Sequence, residues 1–226
     1  MADARSDILA RIREALAVPA PKPHFKSEAT AGQPVAVAKP WLPDGGETTD
    51  ASLAILAEQL AKLKAVLVRV PDAAAAGAAV ADLARAKSWK QVAYHGDPLV
   101  GSVAAALPCA TWAADASFDK QKLEGCDAAI TSCEAIVAQL GSVLVSSASS
   151  GGRALSVLPH VHVVVAKVDQ VVPDLAMAIA QTQARHGSRL PSMLSFITGP
   201  SRTGDIERIL VLGAHGPKEL YLVLVG

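Results

Sequence analysis

Three stretches of this chain concentrate groups that bind anions or handle protons. The first, Ser146-Ser147-Ala148-Ser149-Ser150-Gly151-Gly152-Arg153, offers hydroxyls, glycine backbone N–H groups and one guanidinium, a combination suited to a carboxylate or phosphate. The second, Gly199-Pro200-Ser201-Arg202-Thr203-Gly204-Asp205, sets Arg202 between two hydroxyls, and a forked guanidinium so flanked can clamp an oxyanion. The same residues also spell an ordinary strand-to-helix turn, in which Thr203 or Asp205 caps a helical turn at Ile206. The third, Gly213-Ala214-His215-Gly216-Pro217-Lys218, is a Gly-Pro turn whose histidine can accept or donate a proton at ordinary pH.

Other chemistry is less well supplied. No Gly-x-Gly-x-x-Gly follows a strand, and there is no phosphate-loop Gly-Lys-Ser/Thr, no Gly-x-Ser-x-Gly and no His-Glu-x-x-His. His160 and His162 stand two apart, on one side of a strand, but no third metal ligand is near them in sequence. Cys109, Cys126 and Cys133 are an odd number without Cys-x-x-Cys spacing, so they read as small buried hydrophobes rather than a disulfide framework, zinc site or iron–sulfur ligand set. Equal totals of 21 basic and 21 acidic residues remove the electrostatic case for nucleic acid or an anionic membrane. At 4% aromatic residues a base-stacking surface is not expected either. The N-terminus, with charges at Asp3, Arg5 and Asp7, is not a secretory signal. The longest uncharged run, 135–152, is too rich in Ser and Gly to span a bilayer. A cytoplasmic protein is expected, with no membrane insertion.

The elements that must position these loops follow from periodicity. Residues 3–17 predict an amphipathic helix with Ile8, Leu9, Ile12 and Leu16 on one stripe. Six of the 14 prolines fall between Pro19 and Pro43, so residues 19–48 read as an extended linker. From residue 49 to 226 a single α/β domain is expected. Thr49 or Asp50 caps a helix carrying Leu53, Leu56, Leu60 and Leu63. Strands at 65–70, 91–94, 110–113, 128–131, 142–146 and 161–166 then alternate with helices at 72–87, after Asp97, at 132–140 and from Asp169 to His186. Such alternation predicts a mostly parallel sheet covered by helices on both faces. The last two strands, 208–212 and 219–225, are joined by only six residues, too few for a parallel crossover. They are expected to pair antiparallel and close one sheet edge.

Taken together, the loops resemble the lactate-utilisation (LUD-domain) family, most closely its protein C branch. The matching residues are Gly141-Ser142-Val143-Leu144-Val145, then Arg153-Ala154-Leu155-Ser156-Val157-Leu158-Pro159 with His162 following, then Thr198 to Glu207, and Gly213-Ala214-His215-Gly216-Pro217. Ile8 to Leu16 resembles that branch's opening helix. The resemblance implies a three-layer α/β/α sandwich like the sugar-phosphate isomerase and CoA-transferase group (NagB/RpiA-like). It also implies a part in oxidising L-lactate to pyruvate beside iron–sulfur partner proteins, with no cofactor in this chain. Two other roles stay open: an enzyme of the isomerase and CoA-transferase group acting on a small anionic or CoA-type substrate, and a ligand-sensing or scaffold module. The candidate anion pocket comprises Ser149, Gly151, Gly152, Arg153, His162, Gly199, Ser201, Arg202, Thr203, Asp205, His215 and Gly216. No residue is assigned a catalytic role. Many members of the family carry an acidic residue and a threonine just before the glycine matching Gly141, where this chain has Gln139 and Leu140. An amide cannot act as a base at neutral pH.

Overall fold

A computed structural model describes residues 4–17, 43–114, 119–206 and 209–226. Helix α1 (Ala4–Ala17) belongs to one unit, Met1–Pro40, and all other described elements to a second, Trp41–Gly226. Most of the linker expected at 19–48, residues 19–42, lies outside the described residues.

The second unit is built on six parallel strands: β1 (Val66–Val70), β2 (Gln91–Tyr94), β3 (Ala110–Ala113), β4 (Ala128–Thr131), β7 (Val161–Lys167) and β12 (Glu219–Val225), in the order β1-β12-β7-β4-β2-β3. Alternate residues of β7 explain why it lies inside. Val161, Val163 and Val165 pack with α3 (Ala73–Ala86) and α4 (Pro98–Ala105), whereas Val164 and Ala166 pack with α2 (Thr49–Leu63) on the other face. A strand buried on both sides needs a nearly continuous apolar run, and Val161–Ala166 supplies one apart from His162. The helices start where side-chain acceptors meet free backbone donors: Thr48 caps α2, Asp72 caps α3 and Asp97 caps α4.

The second face is also covered by a four-stranded sheet, β8-β5-β6-β9, made of β5 (Ala135–Val137), β6 (Ser142–Ser146), β8 (Val171–Val172) and β9 (Leu194–Ile197). Helix α6 (Leu175–His186) closes the far side of that sheet on Ala135, Val137 and Leu144. Nearer β2 and β4 the cover is α5 (Lys120–Glu124) with Leu155, packed on Ala93 and Ala129. The α/β class with a mostly parallel sheet is therefore as expected, with one covering layer part helix and part sheet.

Several local expectations are corrected. The stretch 132–140 is not a helix but β5 followed by a 3₁₀ turn at Ala138–Leu140; a short, wholly buried apolar run does not reveal its period. Helix α6 starts after its cap Asp174 rather than at Asp169, because residues 168–172 form a 3₁₀ turn and β8. The helix expected at 72–87 spans Ala73–Ala86, with Asp72 as its cap. Arg202–Ile206 is a strand, β10, not a cap and helical turn.

The largest correction concerns the C-terminus. β11 (Ile209–Leu212) pairs antiparallel with β10 in a separate hairpin, while β12 runs parallel between β1 and β7. Six residues are indeed too few for a parallel crossover, so β11 and β12 do not pair at all. The run Leu220-Tyr221-Leu222-Val223-Leu224-Val225 is largely apolar on both faces, which draws β12 into the interior rather than to an edge.

Candidate functional site

Two clefts collect the polar side chains of the second unit. The first, about 360 Å³, lies beside the amino ends of β7 and β12 and is lined by Arg153, Ser156, Thr198, Ser201, Arg202 and His215 among others. Ser201 builds it. Its N–H donates to Pro217 O at 2.8 Å, its carbonyl accepts from Gly213 N at 3.0 Å, and its hydroxyl accepts from His215 N at 3.3 Å. The loop after β9 and the loop before β12 are thereby held as one wall. Gly216 sits where a Cβ would come within 3.3 Å of Ser201 Cβ, so the close approach favours glycine. Ser142 and Thr198 share a hydroxyl–hydroxyl bond of 2.8 Å, which joins β6 to the same wall. The lining includes both guanidinium groups and, among the described residues, no carboxylate. Unopposed donors at a concave surface suit a small carboxylate or phosphate.

The sequence-predicted pocket is thus partly assembled. Arg153, Gly199, Ser201, Arg202, His215 and Gly216 meet in this cleft. Ser149 does not; it is buried in the turn after β6, where its hydroxyl accepts from Ser146 N at 2.9 Å. Gly151 and Gly152 line neither cleft, both with positive φ, and Gly151 faces His95. His162 is also outside: it is fully buried, with Nε2 2.9 Å from Thr131 Oγ1 and Nδ1 without a partner. Burial pushes its pKa down to about 4, so the ring is a neutral core group. Thr203 and Asp205 have backbone in β10, but their side chains lie outside the described residues. The loops before β7 and β12 also lie at the amino ends of the main sheet, not at the carboxyl ends expected for an open α/β fold.

The second cleft occupies that carboxyl edge. About 510 Å³ in volume, it opens between the loops that follow β2, β4 and β7 and the end of α6. Its floor is Glu134, 3% exposed. Oε1 accepts from Ser146 Oγ at 2.5 Å, while Oε2 lies 2.5 Å from an Arg185 guanidinium nitrogen and 3.2 Å from His186 Nε2. Burial alone would push this carboxyl up, but the bonds from Ser146, Arg185 and His186 outweigh it and hold the group below the usual carboxylate range. Beside it the Cys133 thiol is pushed far up, first by burial and then by Glu134, so it is no nucleophile at neutral pH.

Sequence reasoning missed Glu134, Lys167, Arg185 and His186. One signal was present: Glu134 is the only charged residue between Asp127 and Arg153, and an isolated charge in an apolar run needs a buried partner. Its partners, Arg185 and His186, lie 51 and 52 residues away, on α6.

Among the described residues no group of three or more His, Cys, Asp or Glu is placed to hold a metal ion. Among them, too, no helix is long and apolar enough to cross a membrane.

The signature described as LUD domain matches residues 53–225. Lactate utilization protein C of Bacillus subtilis (strain 168) is 34% identical over 121 residues, 52% of this chain and 50% of that protein. The protein of the same name from Geobacillus kaustophilus is 40% identical over 91 residues, 39% and 38% of the two chains. The chain spans about half the length of the curated relatives it matches. The crystal structure of a duf162 family protein from Deinococcus radiodurans superposes with a TM-score of 0.61, covering 80% of this chain and all of that one at 23% identity, a likeness of fold. On the match across 53–225, the chain belongs to the LUD-domain family.

Proposed function

We propose that this chain is the cluster-free subunit of a cytoplasmic lactate-utilisation system that oxidises L-lactate to pyruvate with iron–sulfur partner proteins. The relatives' shared name, lactate utilization protein C, supports the setting. The observation that carries the reading is the meeting of Arg153, Arg202, Ser201 and His215 in one cleft free of described carboxylates. Lactate and pyruvate are small monoanions with one further oxygen next to the carboxylate. Two guanidinium groups suit the carboxylate, and an imidazole and a hydroxyl suit the adjacent hydroxyl or oxo oxygen. Oxidation of the hydroxy acid releases two electrons and two protons. This reading assigns the electrons to clusters in the partners, since the three cysteines here have no cluster spacing.

The test is growth on L-lactate in a strain lacking this gene and any redundant lactate dehydrogenase. Growth should fail, return with the wild-type gene, and not return with Arg153→Ala/Arg202→Ala, although that variant accumulates and folds. Normal growth of the deletion strain would remove the chain from lactate use. Full rescue by the double variant would remove the cleft from that role.

A further inference from the structure

The cleft at the carboxyl edge is separate from the arginine cleft, and no lining residue is common to both. Its place follows from topology. The chain leaves β2 for β3 on one side of the sheet, and leaves β4 for β7 and then β12 on the other. Between β2 and β4 the direction of winding reverses, and the loops there splay apart instead of covering one another. His95–Asp97, Ser132–Glu134 and Val168–Gln170 are those connections.

What the cleft can bind is set by which of its groups are already engaged. Its acceptors are largely occupied. Asp97 Oδ1 takes the N–H groups of Leu99 and Val100 at 2.9 and 3.2 Å. Both oxygens of Glu134 are taken by Ser146, Arg185 and His186. Its donors are less fully engaged. Lys167 is exposed, with its side chain in no described bond, and Arg185 is half exposed, with one guanidinium nitrogen on Glu134. Asp169, exposed at the rim, and the second oxygen of Asp97 are the carboxylate groups left outside these bonds. A cavity with free donors and engaged acceptors selects a ligand rich in anionic oxygen.

His186 adds a direction. Its Nε2 faces the Glu134 carboxylate, so in the neutral ring that nitrogen carries the hydrogen and Nδ1 is left as an acceptor. Nδ1 makes no bond to the described protein groups. An acceptor beside two cationic donors fits a hydroxyl next to the anionic group.

The geometry points to a second ligand site, for a small molecule bearing a carboxylate or phosphate with a neighbouring hydroxyl, in which Lys167 and Arg185 take the anion and His186, oriented by Glu134, takes the hydroxyl. The site stands independently of the lactate reading, which rests on the other cleft.

Calorimetric titration of the full chain tests it on the Arg153→Ala/Arg202→Ala background, which disables the first cleft. Inorganic phosphate, acetate and glycolate serve as separate probes. At least one anion should still bind at one site, with affinity falling tenfold or more on adding Lys167→Ala, an exposed change that leaves folding intact. Preference for phosphate would mark a phosphate ester as the ligand class, and preference for acetate a carboxylate. Glycolate should bind more tightly than acetate, with the difference lost in His186→Ala. Absence of anion binding on this background, or unchanged binding with Lys167→Ala, would overturn the site. Equal binding of glycolate and acetate would overturn the part given to His186.

Discussion

The side-chain amide of Gln139 donates to the backbone carbonyl of Pro43 at 2.7 Å. Its own N–H donates to Pro173 O at 3.1 Å. The residue is 4% exposed and lines neither cleft. It ties the segment entering α2 to the 3₁₀ turn after β5, so the departure noted in the sequence is a structural one in this chain.

Gln139→Glu should therefore destabilise the fold. An ionised carboxylate cannot donate to Pro43, and burying it there costs about 2–4 kcal/mol at neutral pH. Only the protonated form restores the bond, so the variant's folded pKa is raised. Its deficit should be small below about pH 4 and grow as pH rises. Urea unfolding at pH 4 and pH 7 checks this, and equal stabilities at pH 7 would refute it.

Glu134→Gln should remove an acid-dependent part of the stability. The folded pKa of Glu134 lies below the ordinary value of 4.5. Its contribution is present above that value and is lost as pH falls through the folded pKa. The variant should be weaker than wild type by about 1–3 kcal/mol at pH 7, with the gap closing in acid.

His162 works against the fold over a different window. Its ring titrates near the ordinary 6.5 when unfolded and at about 4 when folded. Stability is thus intact above 6.5 and declines as pH falls from there toward 4, by roughly 3 kcal/mol in all. His162→Leu should lack this decline. A wild-type unfolding midpoint that does not change between pH 7 and 5 would contradict it.

Gly141 and Gly199 both seat the end of α2. With φ of +64° and +80°, each would bring a Cβ to 3.0 Å from Leu63, and Gly141 also to 3.0 Å from Gln59 Cβ. Alanine at either position should cost about 1–3 kcal/mol. Because both press on Leu63, the double variant should depart from additivity; a denaturation cycle measures this.

Arg202→Ala should act on binding rather than stability. The side chain is exposed, so unfolding should change by no more than about 0.5 kcal/mol. Loss of a charge-assisted contact should weaken L-lactate binding by about tenfold or more. Calorimetry with L-lactate on the Lys167→Ala background, beside a melting curve, separates the two effects.

Local chemistry made part of this protein legible without a structure. Val161–Ala166 is apolar at nearly every position, so it could only be a strand buried on both faces, and Asp97 before Pro98 could only begin a helix. Arg202, His215 and Arg153 announced an anion pocket because their loops carry little that could serve a core. What the sequence left open depended on distance along the chain. β12 lies between β1 and β7 because both its faces need apolar cover, a choice made by strands about 150 and about 60 residues away rather than by the six-residue loop before it. Glu134 was one charge in an apolar run until folding set Arg185 and His186 against it. Periodicity reports which face of an element is buried, but only the packed sheet decides what that face meets.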